Sequence, residues 1–95
     1  MLFIFGHERG LSFWMQNTLI PLDMVFIDNK GQLVSIQRQA EPRTRTPRPS
    51  DGPARFVLEI DGGEAEALGI DADTTFEFGA ATLQYLAASR LPYGG

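Results

Sequence analysis

Short apolar runs, each closed by glycine, proline or a polar turn, set the pattern of this chain. Leu2-Phe3-Ile4-Phe5 is wholly apolar and stops at Gly6, which predicts a strand covered on both faces. Gly6 to Gly10 reads as a polar turn, and Phe13-Trp14-Met15 as a short strand after it. Ile20-Pro21 excludes helix and interrupts any ladder. Met24-Val25-Phe26-Ile27 is again apolar at every position, as a closed or sandwiched sheet requires of an inner strand. Asp28-Asn29-Lys30-Gly31 fits a type I turn whose last residue takes positive φ, so Gln32 to Arg38 returns antiparallel. In that return strand Val34 and Ile36 share one face, and Ser35 and Gln37 the other.

The second half is read in the same way. Four prolines between Ala40 and Ala54 predict a long extended loop, which also carries Arg43, Arg45 and Arg48. Arg55 to Ile60 alternates as a strand, with Phe56, Leu58 and Ile60 on one face and Arg55, Val57 and Glu59 on the other. Glu64-Ala65-Glu66-Ala67-Leu68, with acids in its first turn and Gly69 as exit, predicts one or two helical turns. Thr74 to Phe78 should place Phe76 and Phe78 inward, and Ala80 to Arg90 has the propensity for a short helix. The elements add up to a mainly β (α+β) domain, small, antiparallel and barrel-like, over residues 1–79, with a C-terminal extension over residues 80–95.

Composition narrows the classes. Ninety-five residues make one domain, and 43% hydrophobic with 21% charged residues is a globular balance. A net charge of -4 argues against a nucleic-acid partner, which needs a basic face. The chain has no cysteine, hence no disulfide or thiolate chemistry, and no apolar run approaches the roughly 18 residues of a membrane span.

Ser12 to Asp23 concentrates the candidate chemistry. It holds the only tryptophan beside Gln16, Asn17, Thr18 and Asp23, a mixture suited to a half-buried site. Two readings of Trp14 stand open: a flat face for a sugar or aromatic ring, with Gln16, Asn17, Thr18, Asp23 and Glu59 completing the ligand-binding set, or a core tryptophan. Asp23 and Glu59, both in segments that read as buried, are candidates for paired acid and base work or for turn-capping and cross-strand pairing. His7, the only histidine, reads as an exposed turn residue, since no second His or Cys completes a transition-metal site. Ser12 or Ser50 with His7 makes a triad only on paper, for no strand-turn-helix elbow frames either serine. Asp71-Ala72-Asp73 supplies too few ligands for calcium and reads as a turn. No catalytic residue, metal or cofactor is therefore assigned.

Phe13-Trp14-Met15, Asn17-Thr18, Ile20-Pro21-Leu22-Asp23, Phe26-Ile27-Asp28, Gly31, Val34, Val57-Leu58-Glu59, Gly63 and Gly69-Ile70 together resemble the DUF192 (UPF0127) family of small bacterial and archaeal proteins. The resemblance runs from Met1 to Phe78. It implies a compact, mostly antiparallel β-barrel-like fold with one or two short helices, and a periplasmic or secreted setting. It brings no known activity. Family members carry a further segment upstream, so the expectation is of a missing strand, an unpaired sheet edge and homodimer formation through it. Ala72-Asp73 replaces the family's Gly-Asp, so a strained turn is expected there. The reading that follows is a non-catalytic binding module of the cell envelope for a saccharide or other small ligand. The alternatives are a small hydrolase-like enzyme using Asp23 and Glu59, or a protein-interaction domain.

Overall fold

The computed structural model describes residues 1–77. Four strands, β1 (Leu2–Phe13), β2 (Leu22–Ile27), β3 (Leu33–Ala40) and β4 (Arg48–Asp61), are followed by one helical turn, α1 (Glu64–Ala67). They form a single sheet in the order β1-β4-β2-β3, every neighbouring pair antiparallel. The mainly β class holds, but the sheet is not closed into a barrel. Instead β3 curls alongside the first half of β4, and side chains span the gap: Ser35 Oγ donates to the Ser50 carbonyl and Gln37 Nε2 to that of Pro49 at 2.9 Å. The helix expected over Ala80 to Arg90 lies outside the described residues, as does the extension that contains it.

Apart from Asp23, β2 is apolar because it is central and covered on both sides. Met24 and Phe26 face a cluster with Phe3, Leu11, Phe13, Met15 and Val57. Val25 and Ile27 face another with Ile4, Phe56, Ala65 and Ile70. Phe13 is the hub of the first cluster, its ring 5.7 Å from Phe3 and 6.1 Å from Phe26 in tilted contacts. α1 sits over the second cluster, through Ala65 and the Ile70 that follows.

The turn at Asp28 forms as expected. Asp28 Oδ1 accepts from the Lys30 and Gln32 amides, and Gly31 takes φ 81°. Gly31 also touches the chain's later part: its carbonyl accepts from the Phe76 amide at 2.7 Å, next to a bridge between Gln32 and Thr75. At Asp71 the expected turn is present, with Oδ1 accepting from the Asp73 amide at 2.9 Å. Ala72 is not among the residues with positive φ, so the strain expected there is absent.

Three expectations are corrected. Val34 and Ile36 do not share a face, because a bulge in the pairing of β3 with β2 sets Val34 against the first cluster and Ile36 against the second. Gly6 to Gly10 is no turn: β1 runs straight through it, and a large bulge between Ile4 and Arg9 absorbs the extra residues. Arg55 holds that bulge, its Nε donating to the Phe5 carbonyl at 2.9 Å and its Nη1 to Asn29 Oδ1 at 2.8 Å. The Asn29 amide in turn donates to Glu8 Oε1 at 2.6 Å. The loop expected to Ala54 also ends early, since β4 already starts at Arg48 and contains Pro49 and Pro53. Prolines are tolerated there because this half of β4 pairs only with β1, which leaves one side without ladder bonds to lose. Ser50 repairs a second irregularity, accepting from the Leu11 amide at 2.9 Å and donating to the Gly52 carbonyl at 2.6 Å. Its hydroxyl is thereby committed to backbone.

Candidate functional site

The end of β1 and the loop 41–47 are tied together through one residue. The Met15 amide donates to the Thr44 carbonyl at 3.0 Å, and its carbonyl accepts from Arg43 at 2.7 Å and from Thr18 at 3.2 Å. The Thr18 hydroxyl adds a third bond to the same carbonyl at 2.9 Å. Thr44 Oγ1 then donates to the Glu41 carbonyl and accepts from Arg48 Nη2, closing the loop on itself. The strand expected over Phe13-Trp14-Met15 stops at Phe13, and Trp14, between the buried Phe13 and Met15, turns outward with 46% of it exposed.

Trp14, Ser12, Phe13, Arg45 and Pro47 line an open groove of about 240 Å³. Trp14 supplies a broad aromatic wall, Pro47 a rigid apolar one and Arg45 the only charge. The Arg45 guanidinium has no partner among the described residues. Gln16 is half-buried and Asn17 exposed beside this segment, and their side chains make no hydrogen bond among the described residues. Leu19 and Ile20 add exposed apolar surface just beyond.

Asp23 and Glu59 stand elsewhere and apart. In the register of β2 with β4, Asp23 faces Ile60 on the side of α1, whereas Glu59 faces Met24 on the opposite side of the sheet. Two carboxyl groups on opposite faces do not form an acid–base pair. Asp23, 1% exposed, is filled with backbone bonds: Oδ1 accepts from Gln39 at 2.7 Å, and Oδ2 from Gly63 at 3.1 Å and Ala65 at 2.9 Å. Thr18 is likewise spent on Met15. His7 lies exposed on the β1 bulge. Among the described residues no three His, Cys, Asp or Glu side chains gather as a metal site requires.

Glu59 is 6% exposed, and its Oε2 has no hydrogen-bond partner among the described residues. Burial pushes its carboxyl above the ordinary value of 4.5, against a smaller downward pull from the Met1 ammonium. A carboxyl whose value is raised on folding holds its proton more tightly folded than unfolded. Its contribution is therefore fully present below 4.5 and is lost as pH rises through the folded value. Glu59→Gln is expected to raise the urea midpoint near pH 7 and to give no gain near pH 4. An equal effect at both pH values would show that ionisation is not the cause.

A second depression, about 360 Å³, lies between the end of β3 and the exit of α1, lined by Arg38, Glu66, Gly69, Ile70 and Asp71. None of the candidate ligand-binding residues Trp14, Gln16, Asn17, Thr18, Asp23 and Glu59 lines it. Sequence reading missed the partners of Trp14, namely Arg45 and Pro47. The arginine-rich loop stood out by itself, but nothing in the sequence brings it to the tryptophan. Among the described residues no helix is long and apolar enough to cross a membrane.

Two solved structures share this fold. One, a protein of unknown function from Novosphingobium aromaticivorans, is 40% identical with a TM-score of 0.78, over 82% of this chain and 56% of its own. The other, from Sinorhizobium meliloti and described as a candidate transcription regulator, is 39% identical with a TM-score of 0.73, over 76% of this chain and 56% of its own. This chain thus spans little more than half the length of either. No curated protein matches it. Residues 1–78 match the profile of DUF192, described as an uncharacterized ACR, and the chain belongs to that family.

Proposed function

We propose that this chain is a non-catalytic binding module that takes a saccharide ring or a similar small ligand on the face of Trp14. The single observation that carries this is the placement of Trp14, half exposed on a groove wall while both its chain neighbours are buried. An aromatic face held on a pinned backbone is a low-entropy stacking surface, and a ring bearing C–H groups on one face complements it. Gln16 and Asn17, with unspent amides close by in the chain, are suited to hydroxyl recognition. A hydrolase built on Asp23 and Glu59 lacks a common site. The cell envelope, rich in saccharide, is the setting that the family resemblance suggests for such a module.

Trp14 is the only tryptophan, so its emission reports on the groove alone. Titration with chito-oligosaccharide and with oligogalacturonate should shift that emission in at least one case. Trp14→Ala should unfold within about 1 kcal/mol of the parent while weakening binding at least about tenfold by calorimetry. Loss of cooperative unfolding in Trp14→Ala would assign the residue to the fold instead.

A further inference from the structure

Resting on that binding-module reading, we propose that the groove is selective for an acidic saccharide, a uronate-type ring that stacks on Trp14 while its carboxylate is held by Arg45. Three observations converge on this. The first is that the sole charge lining the groove is a guanidinium with no partner among the described residues. A planar guanidinium fork matches a carboxylate with two parallel N–H···O bonds, a fit that neutral hydroxyls do not provide.

The second is the distribution of charge. The chain carries 12 acidic and 8 basic residues, yet Arg43, Arg45 and Arg48 fall within six positions, with Glu41 the only acid on the same loop. An anionic ligand is repelled by the chain as a whole and accepted at this loop, which confines it to the groove. The third is rigidity. Arg43 and Thr44 are bonded to Met15, Thr44 is bonded to Glu41 and Arg48, and Pro47 fixes its own φ, so the backbone carrying Arg45 is held opposite Trp14 before any ligand arrives. Only the Arg45 side chain remains to be ordered on binding.

Calorimetry on the full chain separates the outcomes with three probes: oligogalacturonate, chito-oligosaccharide of equal length and inorganic phosphate. Oligogalacturonate is expected to bind at least about tenfold more tightly than the neutral oligomer, and to weaken as salt is raised. Arg45→Ala should weaken oligogalacturonate at least about tenfold and so bring the two oligomers to similar affinity. Lys30→Ala, the same charge change on the distant hairpin turn, should leave both affinities as they were. Equal affinity for the two oligomers, or an Arg45→Ala variant with its preference intact, overturns this inference while leaving Trp14 as a binding face. Phosphate binding as tightly as oligogalacturonate also overturns it, reducing Arg45 to a general anion contact. No binding of either oligomer up to about 10 mM overturns both this inference and the module it rests on.

Discussion

Asp23→Ala is expected to lower the free energy of unfolding by about 3 kcal/mol, and the melting temperature by roughly 15 °C in a domain of this size. The side chain accepts from three amides that come from two parts of the chain: Gln39 near the end of β3, and Gly63 and Ala65 at the start of α1. Removing it leaves three N–H groups without an acceptor, that of Ala65 buried and those of Gln39 and Gly63 partly so. Gln39 and Gly63 also hold left-handed backbone, φ 47° and 93°, and both conformations lose a tether at once. Asp23→Asn preserves shape but presents an N–H₂ where one oxygen accepted, so about half the loss is expected. Urea unfolding measures the loss, and amide exchange locates it: Gln39, Gly63 and Ala65 should lose protection first. A fall of less than about 1 kcal/mol, with those amides still protected, would assign them another acceptor.

Gly31→Val should cost a comparable amount, about 3 kcal/mol, for two separable reasons. The backbone there sits at φ 81°, which a β-branched residue resists. A Cβ on Gly31 would also run into the Phe76 carbonyl oxygen, so the strand of contacts from Gly31 to Phe76 and from Gln32 to Thr75 must open. Gly63→Ala isolates the first reason, since φ is 93° there and nothing lies within 4 Å of an added Cβ. It should cost only about 1 kcal/mol. Similar losses at the two glycines would mean that the contact with Phe76 contributes nothing.

Local signals carried well wherever the determinant was local. Four consecutive apolar residues from Met24 to Ile27 announced a strand covered on both faces, and Asp28 to Gly31 announced its turn. Acids followed by Gly69 marked α1 to within a residue. What failed depended on distant partners. Gly6 to Gly10 has the composition of a turn and becomes a bulged strand because Arg55, fifty positions later, donates to the Phe5 carbonyl. Pro49 and Pro53 argued against a strand, and only the one-sided pairing of that half of β4 admits them. The same holds for the site. Trp14, Asp23 and Glu59 were conspicuous one by one, but their grouping required knowing which face of the sheet each occupies. The groove itself exists because Met15 binds a loop that begins more than twenty residues after it.

The strand order has a consequence in time. β2 and β3 are joined by a tight turn and can pair as soon as both are made, but among the described residues β1 has β4 as its only strand partner, and their register joins Leu2 to Leu58. During synthesis the apolar side chains of β1 must wait, unpaired, until β4 has left the ribosome. Pairing of β1 with β4 therefore closes a longer loop than pairing of β2 with β3, and β1 stays open to aggregation until β4 arrives.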